Sequence, residues 1–368
     1  MKSFLLVTAT LHLALHSLAQ TALDIDSLFD IDLDSNNQGG CGYIGRNNMQ
    51  NLLQESLDLG LVGVRLVADY RNGVVEARRL LDSFFKTTTG SLPEAELDAI
   101  SNKYNGVSDW IQNDGAIDGG RSNLPPWLFC YHTWLLRRSM SDSAWNYDQE
   151  EYKDNNGNTV LINSVQDYLT KQLTESTEAE RPLNQIYPYW SYMHREYFFD
   201  RFYASGANGG FCSLRRMGSL AATQHKTATS TITLCPMSFG ATNNFEGATI
   251  IRRRDVAPNP IARDLVTSNQ VPNGAQTLKE VLPTSITLFH ELFHLVLGND
   301  VTMSAVGEVY EIFDNRPGFE QIIGLEYANA VDNPESYALA AAAYDYTVNW
   351  DVDGQNPIEF YAGWTTQG

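Results

Sequence analysis

The chain has 368 residues, of which 43% are hydrophobic, 19% charged and 11% aromatic, and its formal net charge at pH 7 is −19. This content excludes a chain that is disordered over most of its length, because it supplies enough apolar surface for a large core. The negative charge argues against nucleic acid as a partner, because binding to a phosphate backbone requires a basic surface. We expect the three arginines at 252–254 on an exposed loop or strand edge.

The N-terminus has the features of a secretory signal peptide over residues 1–19. A start methionine and Lys2 precede an apolar run that extends to Leu18, and Ser17 and Ala19 are small residues at the positions that a signal peptidase reads. The run is too short to span a membrane, which takes about 20 apolar residues in a helix. Cleavage after Ala19 would give a secreted, extracellular chain with no membrane anchor.

Four cysteines agree with an oxidising extracellular environment. An even number of cysteines in a secreted chain predicts two disulfides, for which three pairings exist. We favour Cys41–Cys130 and Cys212–Cys235, because the last two cysteines are close in sequence and lie in strand-like stretches.

The first part of the mature chain is predicted to be helical after an acidic start. Residues 20–40 contain alternating aspartates and predict a flexible leader or pro-segment. Residues 44–86 carry the apolar pattern of two helices, with a turn at Asn72-Gly73. Ser91, as the cap, and Glu94, three residues later, indicate the start of a further helix.

The rest of the chain is predicted to form one domain, over residues 41–368, because no internal repeat or linker is visible. Residues 105–160 are rich in turn-forming residues and predict mostly loop, with short structured pieces near 127–138. A dense aromatic cluster at 187–203 is typical of a core or a groove lining. The remaining predicted elements are a helix at 160–175, a hairpin or small sheet within 211–234, and helices at 284–297 and 334–343.

The strongest local signal is the segment His290-Glu291-Leu292-Phe293-His294. Two histidines four residues apart on a helix lie on the same face, where both imidazoles can reach one metal ion. Glu291 then lies beside that metal and can take a proton from water. Thr287 lies on the same side of this helix as the histidines, and the remaining residues from 286 to 297 are apolar, so the helix is expected to be buried with one polar stripe.

Burial of this polar stripe requires partners, because an unpaired buried polar group costs several kcal/mol. A divalent metal supplies such a partner, and we predict zinc (Zn²⁺) held by His290 and His294. A satisfied pair of core histidines is the alternative. The other mature histidines, His132, His194 and His225, lack ligand spacing and are expected to be structural, although His194 could line the cleft.

Two further segments flank this helix in sequence. Residues 231–239 read Thr-Ile-Thr-Leu-Cys-Pro-Met-Ser-Phe, and residues 333–339 read Asn-Pro-Glu-Ser-Tyr-Ala-Leu. With the histidine helix, they resemble the Cys-Pro-x-x-Phe, His-Glu-x-x-His and Asn-Ala-Asp-x-Tyr-Ala motifs of the deuterolysin-type fungal metalloendopeptidases, the aspzincins, and of their lysine-specific relatives. The resemblance covers about residues 212–345, as a catalytic core, and leaves about 105–210 as an insertion.

The resemblance implies an α+β, mainly helical, zincin-like fold with a small antiparallel sheet and an active-site helix. It also implies two consecutive disulfides, which match the favoured pairing. The family takes its third zinc ligand from Gly-Thr-x-Asp-x-x-Tyr-Gly after the second histidine, and that motif is absent here. Two acids could replace it: Glu308, which precedes Tyr310 in an order that loosely matches the family, and Asp300, six residues after His294. We prefer Glu308.

Three more residues have predicted roles near the metal. Tyr310 is a candidate donor to the oxyanion, and Tyr337 is an alternative or an outer residue of the site. Glu335 stands where the family has its late Asp, and we expect it to contact a ligand or the substrate rather than the metal.

These residues together predict a secreted zinc endopeptidase that acts, as a monomer, on proteins or peptides. The acidic charge favours substrates with basic residues near the cut. No nucleophile elbow, phosphate loop or dinucleotide motif competes with this hypothesis. The alternative is a catalytically inactive, secreted zinc-binding or surface-interaction protein related to the same family.

Overall fold

The computed structural model describes residues 23–86, 90–115, 124–165, 168, 188–199, 212, 220–225, 229–242, 244–303, 305, 321–350 and 357–367. The predicted signal peptide lies outside these residues. No helix within them is both long and apolar enough to cross a membrane.

Helices and short strands both contribute to the described part of the chain, which is α+β and mainly helical. The α-helices are α1 (Ile25–Leu28), α2 (Arg46–Arg71), α3 (Val75–Phe84), α4 (Glu94–Gln112), α5 (Arg263–Thr267), α6 (Ser285–Leu297), α7 (Tyr327–Ala330) and α8 (Pro334–Asn349). The strands are β1 (Trp127–Phe129), β2 (Leu135–Arg137), β3 (Pro188–Ser191), β4 (Glu196–Phe199), β5 (Ala221–Gln224), β6 (Thr231–Leu234), β7 (Ile261–Ala262), β8 (Glu359–Tyr361) and β9 (Trp364–Gln367).

The main core lies where α2, α4, α6 and α8 pack against one another. The long helices α2 and α4 approach closely at Gly63, where an added Cβ would lie 2.2 Å from the ring of Tyr104. Tyr104 is fully buried, and its hydroxyl donates to the carbonyl of Tyr337 on α8 at 2.8 Å. The ring of Tyr104 also packs edge-on against Phe293 of α6. One tyrosine therefore contacts the other three helices of the core.

Three small sheets complete the described fold, with strand orders β1-β6-β5, β2-β3-β4 and β7-β9-β8. The first sheet packs against α6 through β5 and β6. In it β5 is antiparallel to β6, but β1 is parallel to β6. The expected antiparallel pairing is therefore present at β5–β6, and β1, about a hundred residues earlier in the chain, adds a parallel pair to the same sheet.

Several predicted helices are confirmed, with shifted ends. α2 and α3 are separated by a turn at Asn72-Gly73, in which Gly73 has a φ of 83°. α4 begins at Glu94 with Pro93, not Ser91, at the N-cap position. It also extends to Gln112, so the loop predicted from residue 105 is wrong over the first eight residues. The buried residues Val107, Trp110 and Ile111 continue the apolar face of the helix there.

The sheet predicted within 211–234 is confirmed by the β5–β6 pair, and the helix predicted at 284–297 is confirmed as α6. The helix predicted at 334–343 is confirmed as α8 and extends to Asn349. Of the helix predicted at 160–175, a 3-10 turn at Ile162–Ser164 is described, and most of the rest lies outside the described residues. Both favoured disulfides, Cys41–Cys130 and Cys212–Cys235, are present.

The acidic segment is not a flexible leader over its described residues, 23–40. Its apolar residues are spaced so that Ile25, Leu28 and Phe29 are all buried in the main core. Asp30 forms a bridge to Trp127, at the outer edge of β1. Flexibility was expected because the aspartates dominate the composition, whereas the alternating apolar residues determine the packing. That the segment is a pro-segment stays a prediction.

The three arginines at 252–254 are half-buried and paired, which corrects the expectation of an exposed loop. Arg252 pairs with Glu55 of α2 at 2.6 Å, and Arg253 pairs with Asp345 of α8 at 3.2 Å. Glu55 and Asp345 are both buried. Acids buried on largely apolar helices require counter-charges, and the arginines supply them.

The described part of residues 105–210 carries the sheet β2-β3-β4, with its own aromatic clusters. Tyr189, Trp190 and Phe198 of this sheet are buried, so the described part of the aromatic cluster at 187–203 is core. His194 packs beside Trp127 and Trp134 in the same region. The aromatic residues therefore stabilise the sheet β2-β3-β4.

Candidate metal centre

Helix α6, which carries the two histidines and Glu291, is buried along almost its whole length. Every residue from Ser285 to Val296 is buried, because α6 packs against three helices on one side and a sheet on the other. The helix ends at Gly298, whose φ of 85° and ψ of 157° belong to a region that is essentially restricted to glycine. This turn sends the chain back along the helix end.

His290 has its Nδ1 atom 2.9 Å from Oε2 of Glu335, in the first turn of α8. Glu335 is 1% exposed, so α8 delivers its carboxylate into the core. An ionised carboxylate only accepts hydrogen bonds, so Nδ1 of His290 is the donor and Nε2 carries the lone pair. Glu335 thus contacts His290, which is itself a predicted metal ligand. The resemblance implied a contact of this type for Glu335.

His294 has an analogous partner in Thr302. Its Nδ1 atom lies 2.8 Å from Oγ1 of Thr302, and the same hydroxyl donates to the carbonyl of Gly298 at 2.7 Å. A hydroxyl has a single hydrogen, so the Nδ1–H of His294 must be the donor to Thr302. His294 therefore has the same tautomer as His290, with the lone pair on Nε2.

The two imidazoles fit a single zinc ion. Their ring centroids are 5.3 Å apart, and two rings that bind one tetrahedral zinc through Nε2 have centroids about 5 Å apart. Metal-binding histidines usually donate their second ring N–H to a carboxylate or another oxygen, which fixes the tautomer. Glu335 and Thr302 make this contact to His290 and His294.

Glu291 lies next to β5. The hydroxyl of Thr223 donates to Oε2 of Glu291 at 2.6 Å and lies 3.2 Å from the backbone carbonyl of the same residue. This contact orients the carboxylate beside the histidine stripe. β5 is also an edge strand of its sheet, since among the described strands only β6 pairs with it.

His225 supports the frame of the site. Its Nε2 atom lies 3.0 Å from the carbonyl of His294, and its Nδ1 atom lies 2.6 Å from Oγ of Ser230. A carbonyl only accepts, so Nε2 of His225 carries the hydrogen and is not available as a metal ligand. His225 instead links the end of β5 to the last turn of α6.

Neither predicted candidate for a third ligand lies beside the two histidines among the described residues. Glu308 and Tyr310 lie outside them, so the structure provides no geometry for either. Asp300 is exposed on a 3-10 turn. No group of three His, Cys, Asp or Glu residues in the described ranges is arranged to hold a metal, so Asp300 does not complete the histidine pair there.

Tyr337 belongs to the core rather than to the reactive face. It is 1% exposed, its hydroxyl donates to the carbonyl of Val331 at 2.9 Å, and its ring packs against Phe293 and Tyr104. Burial raises the pKa of Tyr337 well above its ordinary value. The single hydrogen of the Tyr337 hydroxyl is therefore already used in a contact with the backbone.

Thr223 and Thr302 were missed by sequence reasoning. Threonine is common in strands and loops, and neither residue has a distinctive spacing from the histidines. The one available signal for Thr302 is its position four residues after Gly298, which predicts a tight return of the chain. No comparable signal exists for Thr223, because its contact depends on the packing of the sheet against α6.

No protein-family model matches this chain, and comparison with curated proteins and with solved structures likewise finds no match. The interpretation of the site therefore depends on its own geometry.

Proposed function

We propose that this chain is a secreted zinc endopeptidase with a zincin-like active site. The observation that carries the proposal is the pair of histidines with matched tautomers, each fixed by an oxygen partner on another segment, beside a buried glutamate. Donation from Nδ1–H to an oxygen is the arrangement that metal-binding histidines usually have. His290 and His294 would hold zinc, with Glu308 proposed as the third ligand.

A bound zinc ion would polarise the scissile carbonyl and lower the pKa of a water molecule. Glu291 is the proposed general base: it takes a proton from the attacking water and returns it to the leaving nitrogen. The hydroxyl of Thr223 holds the carboxylate in position for this transfer. Tyr310 remains the proposed donor to the oxyanion, a contribution of about 3 kcal/mol when its geometry is right.

Among the described strands, β5 lies at the edge of its sheet, and this position favours a polypeptide as the substrate. An extended peptide can add to the open edge of a sheet through main-chain hydrogen bonds. At β5 such a peptide would run past Thr223 and Glu291, which are in contact. The net charge of −19 favours basic residues in that peptide.

The direct test is cleavage of a peptide library by the zinc-loaded mature chain, read by mass spectrometry, with Glu291→Gln beside it. Loss of the general base should reduce turnover by about 100-fold or more while zinc remains bound. The variant Glu326→Gln changes an acid outside the histidine stripe and should leave cleavage unchanged. Equal cleavage by Glu291→Gln and the wild type would contradict the mechanism.

The main rival is a zinc-binding protein without catalytic activity. This rival is favoured by one observation: among the described residues, no acid is arranged as a third ligand to the two histidines. Zinc bound at one equivalent with no cleavage by the wild type would support this rival. A chain that purifies and remains without zinc would contradict both proposals.

A further inference from the structure

Lys103, on α4, contacts two segments of the candidate site, one at Val301 and the other at residues 331 and 332. Its ammonium group donates to the carbonyl of Val301 at 2.7 Å, to the carbonyl of Val331 at 2.6 Å, and to Oδ1 of Asp332 at 2.8 Å. An ammonium group has three hydrogens, so each of them has an acceptor. The lysine side chain is 16% exposed, whereas Val301 and the side chain of Asp332 are 45% and 37% exposed.

Each of these two segments carries the oxygen partner of one histidine. Val301 is the residue before Thr302, whose hydroxyl accepts the hydrogen bond from Nδ1 of His294. Asp332 lies three residues before Glu335, whose carboxylate accepts from Nδ1 of His290. A single lysine thus joins the two segments that determine the tautomers of both histidines.

Other contacts make this arrangement rigid. The carbonyl of Val331 also accepts a hydrogen bond from the hydroxyl of Tyr337, and the ring of Tyr337 lies 5.9 Å from Nζ of Lys103. The neighbour of Lys103, Tyr104, donates to the carbonyl of Tyr337. The lysine is therefore anchored in the helical core, and the two loop segments are attached to it.

We propose that Lys103 is a positioning residue for the metal site, which increases zinc affinity by holding Thr302 and Glu335 against the two histidines. The inference rests on the proposed zinc site. Removal of residues that orient metal ligands typically weakens binding by about 10–100-fold. Lys103 acts on the partners of both histidines at once, so its loss should affect zinc binding more than it affects the fold.

The experiment measures the zinc dissociation constant of the full mature chain by competition with a chromophoric chelator. Lys103→Met, which keeps the length of the side chain but removes its donors, should weaken zinc binding by about tenfold or more. Lys103→Arg keeps the charge and several donors and should recover most of the affinity. Lys153→Met removes an exposed lysine paired with Glu151 and should leave the affinity unchanged.

Melting temperatures of the metal-free variants separate positioning from general stability. A purely structural role would lower the melting temperature of Lys103→Met and leave its zinc affinity equal to that of the wild type, which would overturn the proposal. If Lys103→Met does not fold, the milder Asp332→Ala removes one of the three contacts. That variant should show a smaller loss of affinity in the same direction, and an unchanged affinity would again overturn the proposal.

A second readout does not depend on zinc. Nitrogen NMR of the metal-free chain should detect His290 and His294 as Nδ1–H tautomers in the wild type and as tautomer mixtures in Lys103→Met. Unchanged tautomers in the variant would overturn the positioning role. Failure of the wild type to bind zinc would contradict the proposed function instead, while the tautomer measurement would still test Lys103.

Discussion

At the scale of single residues, hydrogen-bond chemistry determines what the histidine pair can do. Glu335 and Thr302 both accept from Nδ1, which gives the two histidines the same tautomer. Thr223 orients the glutamate between the histidines. These three partners come from α8, from the turn after α6 and from β5, so three separate segments prepare one site.

Glu335 is predicted to contribute to zinc affinity through His290. Glu335→Ala removes the acceptor and should weaken zinc binding by about 10–100-fold, while Glu335→Gln keeps a neutral acceptor and should lose less. Competition with a chelator measures both. The matched control is Asp300→Asn, which changes an exposed acid on the turn after α6 and should have no effect. An equal loss in Asp300→Asn would instead identify Asp300 as a ligand.

Two histidines away from the site predict acid sensitivity of the fold. Burial lowers the pKa of His132 and of His194 to about 4. In the unfolded chain both histidines have the ordinary pKa of about 6.5. Between about pH 4 and pH 6.5 the unfolded chain therefore binds more protons than the folded chain. The free energy of unfolding should therefore fall as the pH falls from about 6.5 to about 4, by at most about 1.4 kcal/mol per pH unit and histidine.

Urea unfolding of the metal-free chain at several pH values checks this dependence. His194→Asn keeps a short polar side chain beside Ser191 and removes one titrating group. Its unfolding free energy should depend less steeply on pH in the same window. An identical slope for the variant and the wild type would mean that His194 does not contribute.

At the scale of elements, the spacing of α2 and α4 depends on small residues. Gly63 lets the helices approach so closely that the ring of Tyr104 occupies the place of a Cβ. This position of Tyr104 allows it to reach α6 and α8 as well. The close contact of two helices thus supports the helix that carries the histidines.

Gly63→Ala is predicted to destabilise the protein by about 1–3 kcal/mol, because overpacking must displace the buried ring of Tyr104. In an exposed helix the same change would stabilise by about 1 kcal/mol. Gly106→Ala on α4 is the matched control, because its Cβ would meet only the flexible end of Leu297, at 3.2 Å. Denaturant unfolding should give opposite signs for the two variants, and a stabilised Gly63→Ala would contradict the packing argument.

At the scale of the whole molecule, a network of charges joins distant segments. Arg253 contacts Asp58 of α2 at 3.0 Å and Asp345 of α8 at 3.2 Å, while Arg254 lies 3.6 Å from the same Asp345. Asp345 is 1% exposed, so its charge depends on these arginines. The network ties the loop before α5 to the helices that frame the candidate site.

Arg253→Met is predicted to destabilise the protein by about 3 kcal/mol, because it leaves a buried carboxylate without its main counter-charge. Arg71→Met is the control: it removes an arginine that pairs at 2.6 Å with Glu94, which is 67% exposed, and should cost less than about 1 kcal/mol. Thermal unfolding of both variants measures the difference. Equal melting temperatures would show that the charge of Asp345 does not depend on Arg253.

Much of the local structure could be predicted from the sequence because it depends on short-range patterns. The apolar spacing in α2 and α3 and the glycine at the turn between them are local signals, as is the four-residue separation of His290 and His294 on α6. The errors occurred where composition and packing disagree. Residues 23–40 look acidic and flexible, but their few apolar side chains are buried.

By itself, the sequence determined the helix that carries the histidines, the pair of strands β5 and β6 and the Cys212–Cys235 disulfide, because each depends on residues close together in the chain. With those two cysteines paired, only Cys41–Cys130 remained. Only the tertiary structure decided which oxygens face the two imidazoles, that Thr223 contacts Glu291, and that Tyr337 belongs to the core. Glu335 lies 45 residues from His290 and Thr223 lies 68 residues from Glu291. Contacts at such separations follow from the packing of α6, α8 and the sheet, which no local pattern specifies.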